Sequence, residues 1–313
     1  MSFATETKNE LARIEPGKKC CMLAEIAGFI RVSGSLRLVG NGKFKIIITM
    51  DNPAIARHYK KLIKDYFGIN SELQIENGTP LKKGHIYVLA IGPENLSEQI
   101  LRETGILLVR EGNNYISDGI YEGIIKTKCC KKAYLRGIFM GSGTINDPEK
   151  GYHLEIVCNS MNLANDLKKI INTFVDLSVK IVERKKSYVV YMKNSNYISD
   201  TLTLMGAHTQ LLNYENVRIK KEIMNNTVRI TNCDSANTDR ILDASERHIA
   251  CIKKIDKTVG ILKLPEKLRV VANLRIENPE ASLSQLGEMM QPPLKKSGVN
   301  NRLKKIEDYS NKL

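Results

Sequence analysis

A nine-residue pattern occurs twice in the chain, at residues 26–34 and 135–143, and it constrains the fold more than any other feature of the sequence. Each copy is largely apolar, with one glycine in its interior (Gly28, Gly137) and a second glycine six residues later (Gly34, Gly143). A glycine inside a helix lets another backbone approach closely, and a glycine at the end favours termination of the helix. The pattern therefore predicts two similar helices that pack against each other through small residues, as a seam between two halves of one fold.

The repeat extends on both sides of this pattern. A Cys-Cys pair precedes each copy at the same distance, at Cys20-Cys21 and at Cys129-Cys130. Each copy is followed by a β-rich run, an amphipathic helix, two further strands and a closing helix. The order αββαββα therefore occurs twice, which predicts a pseudo-symmetric α+β fold.

The strands are predicted from alternating apolar and polar residues, and the turns from glycine, asparagine and proline. The predicted strands cover residues 35–39, 44–50, 72–76 and 85–91 in the first half and 152–158, 178–183 and 188–193 in the second, with turns at 40–42 and 77–80. Residues 106–128 connect the halves, with a turn near residues 111–114.

This order and the twin pattern resemble the LAGLIDADG homing endonuclease family, in which two halves meet along the motif helices and two curved sheets straddle DNA. The resemblance implies that the catalytic metal-binding acid of the motif falls on Ser33 and Ser142, and that an earlier Asp falls on Arg31 and Met140. None of these residues is a carboxylate, whereas hydrolysis of this kind needs hard oxygen ligands for Mg²⁺. We therefore expect a nuclease scaffold that does not cut DNA. The alternative is an active nuclease that uses carboxylates elsewhere in the scaffold.

The chain is basic, with a net charge of +14 and a pI near 9.3 over 313 residues. This balance favours a polyanionic partner such as nucleic acid, although a soluble protein can be basic without one. We find no run of about 18 apolar residues that would predict a membrane span. The N-terminal residues also lack the order of a signal peptide, so we expect a cytoplasmic protein.

The seven cysteines are expected to be reduced in that compartment. The adjacent pairs lack the two-residue spacer of a zinc knuckle, and no nearby histidine completes a ligand set. A role in the core is therefore favoured over metal binding, and no cofactor or metal is expected. The five histidines are scattered and suggest no catalytic dyad.

Two groups of cations, one on the predicted strands and one in a turn between strands, are candidates for auxiliary DNA contacts. Arg37, Lys43 and Lys45 lie on the first pair of strands. A tight turn between the last two strands carries Arg184, Lys185 and Lys186. Phosphate contacts are one interpretation, and ordinary exposed charges are the other.

The composition changes after residue 213. Residues 214–236 predict a basic helical stretch, a turn at Asn225-Asn226 and a polar linker, after which the pattern becomes entirely helical. The predicted domains are thus a first half at 1–105, a connector and second half at 106–213, a linker at 214–236 and a helical domain at 237–313.

The last two predicted helices are joined by a short turn. Ser282 and Gln285 form a capping-box pattern at the start of one, and Ser297 is the predicted cap of the other. On the last helix Val299, Leu303 and Ile306 share one face. Residues 291–306 contain five cations and no acid.

An amphipathic second helix with an exposed face rich in Asn and Lys is typical of a DNA-reading helix-turn-helix. Asn pairs well with adenine, and Lys or Arg with guanine or phosphate. The predicted DNA contacts are Lys295, Lys296, Ser297, Asn300, Asn301, Arg302, Lys304 and Lys305, with Asn300, Asn301 and Arg302 directed at bases. A small helical bundle with a basic surface is the alternative.

Together, the degenerate LAGLIDADG-like repeat and the C-terminal segments at 278–283 and 292–303 closely resemble the WhiA family. The resemblance covers nearly the whole chain and implies a bacterial, nucleoid-associated DNA-binding transcriptional regulator linked to sporulation, cell division and chromosome segregation. It implies double-stranded DNA as partner, with RNA polymerase or another regulator as a further one. A protein-interaction scaffold with auxiliary DNA binding is the alternative function.

Overall fold

The structure is a computed structural model that describes residues 1–40, 42–77, 84–174 and 178–313. The turns predicted at 40–42 and 77–80 fall partly outside the described residues. The chain divides into two compact units, an N-terminal unit at Met1–Lys220 and a C-terminal unit at Lys221–Leu313.

The N-terminal unit contains the repeat. Its elements are α1 (Phe3–Leu11), α2 (Lys19–Ser33), β1 (Gly34–Leu38), β2 (Phe44–Met50), α3 (Pro53–Phe67), β3 (Glu72–Asn77), β4 (His85–Ile91), α4 (Ser97–Glu103), β5 (Leu107–Arg110), β6 (Asn113–Ile116), α5 (Lys128–Ser142), β7 (Gly143–Ile145), β8 (Leu154–Cys158), α6 (Met161–Asn172), β9 (Lys180–Arg184), β10 (Ser187–Met192), α7 (Ser195–Met205) and the start of α8 (His208–Thr258). The order αββαββα is confirmed in both halves. Where the sequence predicts a turn between the halves, the structure has the β5–β6 hairpin.

Each half contributes one four-stranded antiparallel sheet. The strand orders are β1-β2-β4-β3 and β7-β8-β10-β9, so the two sheets have equivalent topology. Alternate residues of the central strands, such as Ile46, Ile48 and Leu89 in the first sheet, are fully buried. Because side chains alternate between the two faces of a strand, the other face of each sheet points away from this core.

Helices α2 and α5 pack against each other with their backbones in close contact. A Cβ added at Gly28 would lie 2.4 Å from the Tyr134 carbonyl oxygen, and one added at Gly137 would lie 2.2 Å from the Glu25 carbonyl oxygen. Both distances are well inside van der Waals contact, so only glycine allows this approach. The predicted seam is therefore present.

Gly34 and Gly143 were expected to end the helices through a conformation that favours glycine, and the structure shows a different reason for their identity. Gly34 and Gly143 have φ of −84° and −76°, which residues other than glycine adopt readily. They follow the last helical residue and begin strands β1 and β7. Space explains their identity, because a Cβ at Gly34 would lie 2.6 Å from the Ile30 carbonyl oxygen.

A buried charged cluster lies in the middle of this seam. The Glu25 carboxylate is fully buried and accepts hydrogen bonds from Arg136, with Nε at 2.8 Å from Oε2. Its Oε1 lies 2.7 Å from His58 Nε2. Arg136 also donates to the Met205 carbonyl oxygen at 3.3 Å. The cluster thus connects α2, α3, α5 and the end of α7.

The C-terminal unit is helical. It consists of the rest of α8, then α9 (Glu266–Glu277), α10 (Leu283–Glu288) and α11 (Lys296–Ser310). Its core residues come from all four helices, from the segment that follows α8 and from the connection between α10 and α11: Ile252, Ile255, Leu264, Val271, Ala272, Leu286, Met290, Val299, Leu303 and Ile306.

Helix α8 corrects the turn and linker predicted at 214–236, because the chain is helical from His208 to Thr258. The polar residues suggested a loop, but the sequence between Gly206 and Gly260 contains neither glycine nor proline. Polar side chains are compatible with the helix because their hydroxyls can bond to its backbone. Thr227 and Thr238, for example, donate to the carbonyl oxygens four residues earlier, each at 3.0 Å. The predicted domain boundaries stay predictions.

Candidate nucleic-acid interface

Helix α11 presents two opposite faces. Val299, Leu303 and Ile306 are spaced by four and three residues, and each is at most 1% exposed. Ser297, Asn300, Asn301, Lys304 and Lys305 are exposed. The sequence pattern thus predicted the orientation of this helix correctly, and five of the eight candidate contacts lie on its solvent-facing side.

The other three candidates have different environments. Lys295 and Lys296 are exposed at the start of the helix. Arg302 is half-buried and donates from Nη1 to the Lys267 carbonyl oxygen in α9, at 3.3 Å. Ser297 is not the cap, because the helix begins at Lys296 and the Lys295 carbonyl accepts the first bond, from Gly298 N at 2.8 Å.

The connection between α10 and α11 is held by close backbone contact. The predicted capping box is present, with reciprocal bonds between Ser282 and Gln285 at the start of α10. Leu294 N donates to the Gly287 carbonyl oxygen at 2.9 Å. A Cβ at Gly287 would lie 2.1 Å from the Leu294 carbonyl oxygen. This glycine allows the chain to return against α10 before α11 begins.

A buried arginine organises the turn between α9 and α10. Arg275 is 1% exposed, and its Nη1 lies 2.7 Å from the Ala281 carbonyl oxygen and 3.3 Å from the Pro279 carbonyl oxygen. The same atom lies 3.3 Å from Ser245 Oγ in α8. A buried guanidinium needs such acceptors because an unsatisfied buried charge is costly. Arg275 therefore fixes where α10 starts relative to α8.

The other end of α11 is held by α8. Lys254 Nζ donates to the Ser310 carbonyl oxygen at 2.9 Å, and His248 Nε2 lies 3.5 Å from Glu307 Oε1. Burial lowers the pKa of His248, and this effect exceeds the opposing influence of the Glu307 carboxylate. The C-terminal end of α11 is thus fixed to α8, while the exposed polar face extends from Ser297 to Lys305.

We expect the C-terminal unit to lose stability as the pH falls below about 6.5. The pKa of His248 is lower in the folded state than its ordinary value of 6.5, so the unfolded chain binds more protons in this range. Stability from this group is complete above that pH and declines below it. Hydrogen exchange of residues 296–310 between pH 8 and pH 5 measures the effect. His248→Gln should flatten the dependence, whereas substitution of the exposed His208 should leave it unchanged.

The candidate contacts in the first sheet share one face. Arg37 and Lys45 are directly paired across β1 and β2, and strand alternation places both on the face away from the core. Lys43 precedes β2 and is exposed. The same face carries exposed Glu72 and Glu76 on β3, at the other edge of the sheet. The outward face is therefore basic at one edge and acidic at the other.

Of the candidate DNA contacts in the second sheet, one is paired with an acidic residue and two are exposed. Arg184 Nη1 donates to Glu155 Oε2 at 3.0 Å, and His153 Nε2 lies 3.0 Å from the same oxygen. Partial burial would raise the pKa of Glu155, but His153 and Arg184 together lower it. Lys185 and Lys186 are exposed at the tip of the hairpin. The structure thus pairs one of the three cations with an acid.

Three family models match separate parts of the chain. The WhiA N-terminal LAGLIDADG-like domain matches residues 19–107, the WhiA LAGLIDADG-like domain matches 131–224, and the WhiA C-terminal HTH domain matches 227–310. Curated relatives match over the full length. A protein named "Probable cell division protein WhiA" from Alkaliphilus metalliredigens is 46% identical over 100% of this chain and 98% of its own. The chain belongs to the WhiA family.

Other WhiA-family proteins show the same relationship. The protein of that name from Clostridium perfringens strain 13 is 43% identical over 100% of this chain and 98% of its own. The crystal structure of full-length DUF199/WhiA from Thermatoga maritima covers 100% of this chain and 99% of its own, with a TM-score of 0.60 and 24% identity. That similarity establishes the fold, a LAGLIDADG-like repeat followed by a helix-turn-helix domain.

The residues at the positions that the endonuclease resemblance implies for the catalytic acids do not suit Mg²⁺. Ser33 and Ser142 end helices α2 and α5, and Ser142 Oγ donates to the Ile138 carbonyl oxygen at 3.5 Å. Arg31 donates to the carbonyl oxygens of Ser117 and Gly105, the latter at 3.0 Å. Neutral hydroxyls and an engaged guanidinium do not form the anionic oxygen set that Mg²⁺ requires.

Sequence reasoning missed the residues that hold the helix-turn-helix in place. Arg275 lies at the end of the apolar stripe formed by Leu268, Val271 and Ala272 on α9. A charged residue in such a stripe is a signal that could have predicted a buried arginine. The pair His248–Glu307 joins two helices that are far apart in sequence, and no local pattern in the sequence indicates that these two residues meet.

In the part of the chain that the structure describes, no helix is long and apolar enough to cross a membrane.

Proposed function

We propose that this chain is a sequence-specific, non-catalytic DNA-binding regulator of transcription, with α11 as the helix that enters the major groove. The observation that carries the proposal is the exposure of Ser297, Asn300, Asn301, Lys304 and Lys305 on one face of a helix whose opposite face is fixed in the core. A recognition helix needs this combination of a rigid inner face and an outer face rich in hydrogen-bonding groups.

Within α11 we assign base contacts to Asn300 and Asn301 first. Their amides can pair with adenine, and both side chains are exposed. Lys295, Lys296, Lys304 and Lys305 are assigned to phosphates, because flexible ammonium groups neutralise backbone charge without reading sequence. Arg302 is assigned a base contact of a different kind, since it must first release the Lys267 carbonyl oxygen.

The biological role is proposed from the family. The curated relatives are named probable cell division proteins, and we propose that this chain regulates genes of cell division. The resemblance of its sequence motifs to the WhiA family also implies that this chain regulates sporulation and chromosome segregation. A protein with this role would be cytoplasmic and associated with the nucleoid.

We expect Asn301→Ala to lose affinity for selected DNA by about 1–3 kcal/mol at one base position, while its salt dependence stays unchanged. Lys304→Ala should instead reduce the number of released ions by about one and weaken binding to all sequences alike. The measurement uses full-length protein and duplexes enriched from a randomised library, titrated across a salt series. Fluorescence anisotropy then gives affinity and slope for each variant.

Lys253→Ala is the matched control, because Lys253 is an exposed cation of the same unit that lies on α8. Its affinity and salt slope should equal those of the unchanged protein. If Asn301→Ala binds every selected duplex as tightly as the unchanged protein, the assignment of Asn301 is wrong. The same titrations with Mg²⁺ present test the non-catalytic part of the proposal, and nicked or cleaved duplexes would contradict it.

A second candidate function, docking of a protein partner on the first sheet, is favoured by the mixed outward face of that sheet. Ile47, Ile86 and Val88 lie on this face between the basic and acidic edges. Paired like charges such as Arg37 and Lys45 destabilise a sheet unless an anion lies near them. DNA phosphate would suit that edge only, whereas a protein partner with acidic, apolar and basic groups, such as RNA polymerase or another regulator, would suit the whole face.

A further inference from the structure

The two Cys-Cys pairs, which are far apart in sequence, meet at one point in the structure. Cys20 and Cys21 are the second and third residues of α2, and Cys129 and Cys130 occupy the same positions in α5. The Sγ atoms of Cys20, Cys21 and Cys130 all lie within 4.8 Å of one another. The packing of α2 on α5 thus converts two isolated pairs into one group of thiols.

The fourth thiol, that of Cys129, lies beside this group of three. Cys129 Sγ lies 3.1 Å from Thr127 Oγ1 and next to the thiols of Cys21 and Cys130, outside the group of three that lie within 4.8 Å of one another. Cys20 and Cys129 are exposed, whereas Cys21 and Cys130 are buried. An ion can therefore approach from solvent on the side of the two exposed thiols and reach the two buried ones.

The surroundings favour thiolates. Helices α2 and α5 both begin at this group, and neither has an acidic residue in its first turn. The N-terminus of a helix carries partial positive charge, which stabilises a thiolate. Lys19 and Lys128 directly precede the two cysteine pairs, and Lys18 precedes Lys19. Four thiolates and one divalent cation have a net charge of −2, which these lysines and helix ends can offset.

We propose that Cys20, Cys21, Cys129 and Cys130 bind one Zn²⁺ ion, which joins the two halves of the repeat at the N-terminal ends of α2 and α5. Tetrahedral Zn²⁺ with Zn–S bonds of about 2.3 Å separates its sulfur ligands by about 3.8 Å. The spacing of up to 4.8 Å among Cys20, Cys21 and Cys130 requires a contraction of about 1 Å, which side-chain rotation can provide. Rotation must also turn the Cys129 Sγ away from Thr127 Oγ1 and toward the ion. Each thiol releases its proton to solvent as the metal binds, and no redox step is involved.

This site differs from the position implied by the endonuclease resemblance. The metal of that family would lie at the C-terminal ends of the motif helices, where this chain has Ser33 and Ser142. The thiol group lies at the opposite ends of the same helices. Its soft sulfur ligands select Zn²⁺ rather than Mg²⁺. The proposed role is structural, and it does not depend on the proposed DNA-binding function.

The test measures metal in full-length protein purified anaerobically with a reductant. We expect about one Zn²⁺ per chain, and after removal of the metal one Co²⁺ per chain, with the thiolate charge-transfer and visible bands of tetrahedral sulfur coordination. Zn²⁺ should also raise the thermal unfolding midpoint, because it binds only the folded chain tightly. The variant Cys20→Ser/Cys129→Ser should reduce Zn²⁺ content at least about tenfold and abolish the Co²⁺ bands.

The matched control is Cys233→Ser/Cys251→Ser, which removes two cysteines of α8 and should retain full metal content. Because both replaced residues of the test variant are exposed, hydrogen exchange of α2 and α5 should show that it still folds. Equal loss of Zn²⁺ in both variants would overturn the proposal. So would a folded, reduced protein that binds neither Zn²⁺ nor Co²⁺, including one whose four thiols only form disulfides on exposure to air.

Discussion

Replacing Gly137 with alanine is expected to destabilise the N-terminal unit by about 3 kcal/mol. The new Cβ would lie 2.2 Å from the Glu25 carbonyl oxygen and 3.1 Å from Phe29 N, both of which are backbone atoms. Overpacking costs about 1–3 kcal/mol where side chains can adjust, and a helix backbone adjusts less easily. Gly28→Ala should act in the same way from the other helix, since its Cβ would lie 2.4 Å from the Tyr134 carbonyl oxygen.

The measurement is hydrogen exchange of peptides from α2 and α5 in increasing denaturant, because the chain has two compact units and a single global midpoint would mix them. Gly17→Ala is the matched control. An added Cβ there meets nothing within 4 Å, so exchange should be unchanged. Equal stability of Gly137→Ala and Gly17→Ala would show that α2 and α5 do not pack as described.

Replacing Glu25 with alanine is expected to cost about 3–5 kcal/mol. The substitution removes a carboxylate that is fully buried and leaves the Arg136 guanidinium buried without an anionic partner. Breaking a buried ion pair on one side has a cost of this size, because the remaining charge is no longer compensated. His58 would lose its hydrogen-bond partner at the same time.

A double-mutant cycle separates the pair from the packing around it. Glu25→Leu/Arg136→Met replaces both charges with apolar side chains and should be more stable than the sum of the two single changes predicts. Glu15→Ala is the control, because Glu15 forms an exposed ion pair with Lys61 and its loss should leave unfolding unchanged. If the effects of the two buried substitutions simply add, Glu25 and Arg136 are not coupled.

Much of the fold could be predicted from the sequence because its signals are local. The twin glycine pattern, the strand alternation and the apolar spacing of Val299, Leu303 and Ile306 all lie within one element each. The same local reasoning was wrong for α8, where polar composition was given more weight than the absence of glycine and proline. It was also wrong for Ser297, because the position of a helix start depends on the chain that precedes it.

By itself, the sequence determined the repeat, the order of its elements and the amphipathic last helix, since hydrophobic periodicity and special residues act over a few positions. Only the tertiary structure decided which distant side chains meet. Glu25 and Arg136 lie 111 positions apart, yet they form one buried pair. Cys20 and Cys21 from one Cys-Cys pair and Cys130 from the other brought their sulfur atoms within 4.8 Å of one another only when α2 packed on α5. Such contacts depend on how whole elements pack, and no short stretch of sequence contains that information.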